Sequence, residues 1–198
     1  MRILKIIFGT VFTLAGMTCL AQKPMSNPNT KISVSSFQTL AQSCAANVPV
    51  STLEAIARTE SALYPYALSI NRPHQLARRQ GWNRGTITLK RQPASREEAI
   101  AWAKWLLSQH ITVSIGLLQV NSEHAKGLQL TVEQLFEPCI NLGAGAMLLA
   151  QTYTVAARAQ GEGLPALDTA LSYYNTGTPH IGFQNGYVGL VRSNTEAH

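Results

Sequence analysis

The sequence predicts an α+β domain in which helices dominate, and three observations carry that expectation. Helix-start signatures of the Ser/Thr-x-x-Glu/Gln type recur at Ser51 and Glu54, Ser95 and Glu98, and Thr131 and Gln134. Apolar residues at three- and four-residue spacing follow the first two. Only residues 86–89 and 111–121 have the character of strands, so the β element is small.

The elements follow in order. A helix starts near Ser36, carries Phe37, Leu40, Ala41 and Cys44 on one stripe, and stops at Asn47, Val48 and Pro49. The second helix opens with Ser51 as N-cap and Glu54 closing the box, and ends by Pro65. Residues 71–95 form an irregular insert broken by Pro73, Gly81, Gly85 and Pro93, with 86–89 as its strand candidate. The Ser95 box opens a helix with Ile100, Ala103, Leu106 and Leu107 inward. Trp102 and Trp105 on that amphipathic helix read as core rather than as sugar-stacking platforms. Residues 111–121 mix strand and turn, and a brief helix from Thr131 ends at Pro138. A long helix then runs over 139–160 and stops at Gly161. Gly143 and Gly145 weaken its first turns relative to Ala, which points to close packing there. A last helix over 165–174 ends at Asn175, Thr176 and Gly177, with Asp168 on its outer face.

The ends have other duties. Arg2 and Lys5 precede an uncharged, largely apolar run over 6–21, which is short for a membrane span and fits a secretory signal cleaved after Ala21. A lipoprotein signal ending before Cys19 and an uncleaved anchor are the alternatives. Residues 22–34 read as a flexible lead-in, 35–192 as one domain and 193–198 as a tail. Membrane contact is expected only through the signal segment, and the exported chain is expected in the periplasm. Loss of the signal leaves Cys44 and Cys139, an even count that favours a disulfide in an exported protein; two buried free thiols are the alternative. The five histidines are scattered, without helical i, i+4 pairs or a Cys-x-x-Cys partner, so no metal site is expected. The net charge is +6, and eight of the sixteen Lys and Arg fall within residues 72–104. A basic stretch can bind nucleic acid, but it lacks interleaved aromatics beyond Trp82. Attraction to an anionic wall polymer, or a merely solvated loop, accounts for it as well.

Glu60 is the candidate for chemistry. Leu53, Ile56, Ala57 and Glu60 fall at i, i+3, i+4 and i+7, placing a carboxyl on the apolar stripe of its helix and near the negative end of the helix dipole. Both effects favour the neutral acid, the form a general acid for glycosidic cleavage needs. A helix-end Glu whose head reaches water is the plainer reading. The chain's one Asp, Asp168, lies far off in sequence, and Glu54, Glu97 and Glu98 belong to helix starts. No second carboxylate is therefore evident.

Four segments taken together resemble the soluble lytic transglycosylases of peptidoglycan. They are Glu60-Ser61, Gly116-Leu117-Leu118-Gln119-Val120-Asn121, Pro138-Cys139-Ile140-Asn141 and Tyr174-Asn175-Thr176-Gly177, within a likeness covering about residues 36–192. Within that family the chain is most similar to the VirB-type branch associated with type IV secretion. The cysteines Cys44 and Cys139, the C-terminal run Gly182-Phe183-Gln184-Asn185-Gly186-Tyr187-Val188 and the insert after Asn71 carry that closer likeness. Leu118 and Tyr173 depart from the residues usual at their positions. The resemblance implies a lysozyme-like, goose-type domain that needs no cofactor, with peptidoglycan glycan strands as substrate and type IV secretion components as partners. It implies a single-acid reaction: Glu60 as catalytic acid and then base, Ser69 near the substrate's acetamido group, and Gln119 and Asn121 lining the sugar cleft. It further implies that Tyr174 hydrogen-bonds the catalytic carboxyl and that Cys44 pairs with Cys139. Asn141 is expected to cap its helix, a structural duty. A lysozyme-type hydrolase and an inert wall-binding assembly protein are the rival readings.

Overall fold

A computed structural model describes residues 31–71, 89 and 91–196. The proposed signal, most of the lead-in, Trp82 and the 86–88 part of the strand candidate lie outside the described residues. The elements are α1 (Val34–Cys44), α2 (Val50–Ser61), β1 (Leu68–Asn71), α3 (Arg96–Ser108), β2 (Thr112–Ile115), β3 (Val120–Asn121), α4 (Ser122–Gly127), α5 (Val132–Leu135), α6 (Pro138–Gln160), α7 (Leu164–Thr176), α8 (Ile181–Gln184) and α9 (Tyr187–Glu196). The α+β expectation holds: helices surround one three-stranded antiparallel sheet in the order β1-β2-β3. Leu68 pairs with Ile115 and Ser69 with Ser114, while Ile115 pairs on its other side with Val120.

Two apolar cores flank the middle of the molecule. The first gathers Phe37, Leu53, Ile56, Leu142, Leu149, Leu171 and Val188, so α1, α2, α7 and α9 close around α6. The second packs the sheet against α3, α4 and α5 through Leu68, Val113, Ile115, Ala103, Ala125 and Phe136. Helix α6 contributes to both, with Leu142 and Leu149 in the first and Ala144 in the second. Its glycines are places of close approach. A Cβ on Gly145 would lie 2.4 Å from Leu118 Cδ1, and one on Gly143 would lie 3.3 Å from the Cys44 carbonyl. Cys44 and Cys139 form a disulfide, Cα to Cα 5.3 Å, that ties α1 to the first turn of α6.

Local chemistry corrects several expectations. Helix α1 starts earlier than predicted because the Ser33 side chain accepts the Ser36 N–H. Helix α2 does not use Ser51 as a cap: Pro49 occupies that position, and no side chain caps the helix. Glu54 is therefore not a box residue. It is buried, and its carboxylate accepts from Gln38 Nε2 at 3.0 Å and Arg58 Nε at 2.9 Å. Ser95 does cap α3, but the Glu98 carboxylate turns to the Ala94 N–H and to a fork with Arg91. Trp105 is 63% exposed rather than core, whereas Trp102 is half-buried beneath the Arg91 guanidinium, 4.6 Å from its ring centre. The Thr131 box forms in full. Helix α7 is not the last, since α8 and α9 follow and α9 runs past residue 192 to Glu196. Asp168 faces inward against α9, where Arg192 Nε reaches Oδ1 at 2.7 Å. That salt bridge fastens the C-terminal helix to α7.

Asn141 is a clamp rather than a cap. Its side chain is 1% exposed, Oδ1 accepts the Leu118 N–H at 2.8 Å, and Nδ2 donates to Ile115 O at 2.8 Å and Leu135 O at 2.9 Å. Three buried backbone groups would lose their partner together in Asn141→Ala. We expect that variant to be destabilised by about 3–5 kcal/mol in chemical denaturation, since each orphaned buried group costs about 1–3 kcal/mol.

Candidate active site

The cleft lies where the two cores meet and has a volume of about 570 Å³. Glu60 enters from the last turn of α2, and Ser69 from β1. Gln119 and Asn121 come from the β2–β3 turn and β3, and Tyr174 from the end of α7. The structure thus brings all five cleft residues expected from the sequence to one cavity.

The backbone beyond α2 explains how Glu60 is aimed. Ala62 and Leu63 both adopt left-handed conformations, φ 51° and 63°, which non-glycine residues rarely do. Their N–H groups return to Arg58 O and Ala57 O, turning the chain abruptly away into β1. Glu60 therefore sits on a helix end with cleft on one side and protein on the others. Its carboxyl is pushed up from the ordinary 4.5 to about 7: burial raises it, and a hydrogen bond from Tyr187 opposes part of the rise. Tyr187 Oη donates to Glu60 Oε1 at 2.7 Å. Oε2 has no hydrogen-bond partner among the described residues, so the oxygen free to carry a proton is the one Tyr187 leaves alone.

The phenol that holds Glu60 is thus Tyr187 of α9, not Tyr174. Tyr174 Oη donates instead to Leu118 O at 2.6 Å. Burial, and then the nearby Glu60 carboxylate, push the Tyr174 hydroxyl well above the usual tyrosine range. Burial and the Glu60 carboxylate likewise raise Tyr187, and the nearby Tyr174 and its own hydrogen bond to Glu60 add to the rise. Both phenols stay protonated and act only as donors. The Gly182–Val188 run carried a signal for Tyr187, but only as a family signature without a role.

Gln119 does different work from that expected. It has φ 47°, and Nε2 donates to Ala67 O at 3.1 Å and Gly116 O at 3.0 Å. Its amide group pins the strained turn to the strand entry and lines the cleft only as part of that brace. The Asn121 side chain accepts the Glu123 N–H at 2.9 Å, so it caps α4, a helix the sequence reading did not anticipate. The floor also includes Tyr173, which the sequence marks as a departure from the family pattern, and residues that reading missed: Asn71, Ser114, His124, Gln151 and Thr152. Strand pairing was the available signal for two of them. Ser114 opposes Ser69 in the ladder, and Asn71 shares that face two residues on, its Nδ2 donating to Ser114 Oγ at 2.9 Å.

Among the described residues lining the cleft, Glu60 is the sole carboxyl. No group of three or more His, Cys, Asp or Glu side chains among the described residues could hold a metal. The chemistry on offer is proton transfer by one tuned acid, in a trough of amides, hydroxyls, two phenols and the His124 imidazole.

Residues 38–195 match the family described as the Transglycosylase SLT domain. The chain is 32% identical over 174 residues to Protein virB1 of Agrobacterium fabrum, covering 88% of this chain and 65% of that protein. It is 30% identical over 185 residues to Protein virB1 of Rhizobium radiobacter, covering 91% and 68%. To the type IV secretion system protein virB1 of Brucella abortus it is 34% identical over 149 residues, covering 75% and 57%. The chain thus spans about two thirds, or less, of the length of these relatives. No solved structure matches it significantly.

Because the folded pKa of Glu60 is raised, the folded state keeps a proton that the unfolded chain has released between pH 4.5 and about 7. Stability from this group is therefore full below pH 4.5, falls as pH rises, and levels off above about 7. Glu60→Gln removes the dependence. Its stability relative to wild type should increase from pH 4.5 to pH 8 by up to about 3 kcal/mol, read by denaturant unfolding at both pH values.

Proposed function

The chain belongs to the Transglycosylase SLT domain family, and on that premise we propose that it is a peptidoglycan lytic transglycosylase working with Glu60 as its one acid and base. Glu60 Oε2–H donates its proton to the glycosidic oxygen between N-acetylmuramic acid and N-acetylglucosamine. The C1–O bond breaks, the glucosaminyl 4-hydroxyl leaves, and positive charge develops on the muramyl ring. The C6 hydroxyl of the same ring then closes onto C1 and returns its proton to the Glu60 carboxylate. The product is a 1,6-anhydromuramyl end, and the reaction consumes no water.

The observation that carries this reading is a lone cleft carboxyl whose acid form persists to about pH 7. A hydrolase of the usual kind sets two carboxylates across the bond, one of them activating water or attacking the sugar. Here the second position has no acid among the described residues. Tyr187 keeps the Glu60 rotamer fixed through both half-reactions, since its phenol can donate to the acid and to the carboxylate alike. Ser69 and Asn71, on the strand facing Glu60, supply polar groups for the acetamido substituent.

Names among the relatives give this chemistry a setting. The Brucella protein is called a type IV secretion system protein, and we propose that this chain likewise opens the wall locally for such an apparatus. The apolar run over 6–21 supports export and a periplasmic place of work.

Digestion of purified peptidoglycan by the wild-type protein should release anhydromuropeptides, identified by mass spectrometry. Glu60→Gln should lower that release by about 10²–10⁴-fold while remaining folded; reducing-end products from the wild type would make it a hydrolase instead. Activity should fall as pH rises through about 7, because the acid form is then lost. The Tyr187 hydrogen bond favours the carboxylate, so Tyr187→Phe should move that alkaline limb upward. It should also slow turnover roughly 10–100-fold through loss of alignment.

A further inference from the structure

Two side grooves lie near the cleft on the helical face. The first, about 530 Å³, lies between α1 and α6 and is lined by Cys44, Asn47, Gly143, Met147, Gln151 and Thr154 among others. It shares Gln151 with the catalytic cleft. The second, about 450 Å³, lies at the α1–α2 connection with Gln42, Ala46 and Pro49, and it shares Asn47 with the first. Helix geometry accounts for the place of Gln151 in both linings. At 100° per residue, Met147 and Thr154 point one way from α6, Leu148 and Thr152 point into the cleft, and Gln151 falls on the border between those faces.

The lining chemistry is uniform along this path. No charged side chain lines either groove among the described residues. Asn47, Gln151 and Thr154 offer amides and a hydroxyl, and Met147 presents a large apolar surface that is 48% exposed. A chain of N-acetylhexosamines shows the matching pattern: hydroxyls and amides at the rim of each ring, apolar ring faces and acetamido methyls, and no backbone charge. A stem peptide bears carboxylates, and nothing in these grooves answers them. The disulfide sets the width of the first groove, because it ties Cys44 on one wall to the helix that forms the other.

We infer that the glycan strand, on leaving the catalytic cleft, runs past Gln151 into the α1–α6 groove and past Asn47 to the α1–α2 connection. This rests on the reading of the chain as a glycan-cleaving protein, and it adds that the protein selects for strand length through a neutral track remote from Glu60. The track would hold a long strand through turnover and leave short ones weakly bound.

Binding can be measured apart from cleavage. The full chain carrying Glu60→Gln is titrated calorimetrically with neutral N-acetylglucosamine tetramer and octamer. The octamer should bind about tenfold or more tighter. Adding Thr154→Trp, which fills the groove, or Met147→Glu, which charges it, should abolish that gain and leave the tetramer unchanged. Retained thermal stability of each variant confirms folding, and two differently built variants guard against the failure of one. Equal affinity for the two lengths overturns the inference, as does a gain that survives both substitutions. It is equally overturned if the gain appears only with peptide-bearing fragments, because the grooves then take the stem peptide. Absence of anhydro products from the wild type would remove the proposed activity, while length-dependent binding would stand on its own.

Discussion

Backbone groups from three separate segments converge on the amide of Asn141, and the shape of the cleft descends from that convergence. The Leu118 N–H, Ile115 O and Leu135 O all end on one side chain projecting from the second turn of α6. Helix α6 is the only described element with residues in both cores, so this amide fixes the β2–β3 turn relative to the helical half of the molecule. The consequences run in series. With Leu118 fixed, its carbonyl receives the Tyr174 hydroxyl, which positions the end of α7. With Gly116 and Gln119 fixed, the left-handed Gln119 is braced against Ala67 at the start of β1. A Cβ on Gly116 would meet the Asn141 side chain at 2.4 Å, so the turn must carry glycine where the clamp closes.

Glu60 lives under an opposite constraint, because the fold holds it in a place where its charge is disfavoured. Burial and the helix C-terminus oppose ionisation, while a single phenol offsets only part of the effect. Such tension persists only where the surroundings leave no escape. The left-handed pair Ala62 and Leu63 ends the helix immediately after the site. From the other side α9 presses Tyr187 on the carboxyl and Asn194 on Thr59, one residue before it. Helix α9 is itself moored by the Arg192–Asp168 pair. A helix that the sequence did not announce thus supplies the hydrogen-bond partner of Glu60.

How far the sequence disclosed this arrangement depends on the kind of signal. The amphipathic stripe through Leu53, Ile56, Ala57 and Glu60 is a local periodicity, and it located the acid and its helix. The glycines of α6 also read correctly, because their cost in a helix has few explanations other than close approach. Side-chain hydrogen bonds were less visible, since they depend on which distant element arrives at a given distance. Ser51 had every mark of a cap, yet the helix begins one residue before it, at Val50, with Pro49 at the N-cap. Asp168 lacked a visible partner because Arg192 lies 24 residues on, in a helix not foreseen. Asn121 and Gln119 read as sugar contacts by family pattern, although their donors and acceptors are largely taken up by backbone. For the tyrosines the motif identified a phenol close to the acid, and tertiary packing decided which of two held it.

Charge placement bears on the single-acid reaction proposed for Glu60. The protein carries a net positive charge, which suits attraction to an anionic wall. A cation in the cleft would stabilise the Glu60 carboxylate and lower its pKa, working against the acid form. The described cleft lining contains no Lys or Arg. The two arginines on the helices that frame Glu60 are both neutralised: Arg58 by Glu54 at 2.8 Å and Arg192 by Asp168 at 2.5 Å. Glu54 and Asp168, both buried, thus pair with the cations of the helices that frame Glu60. With those cations paired, burial raises the proton affinity of Glu60 and the Tyr187 hydrogen bond opposes part of the rise. Long-range attraction and a raised pKa would otherwise conflict within one small domain. A cleft lining without Lys or Arg among the described residues lets both operate.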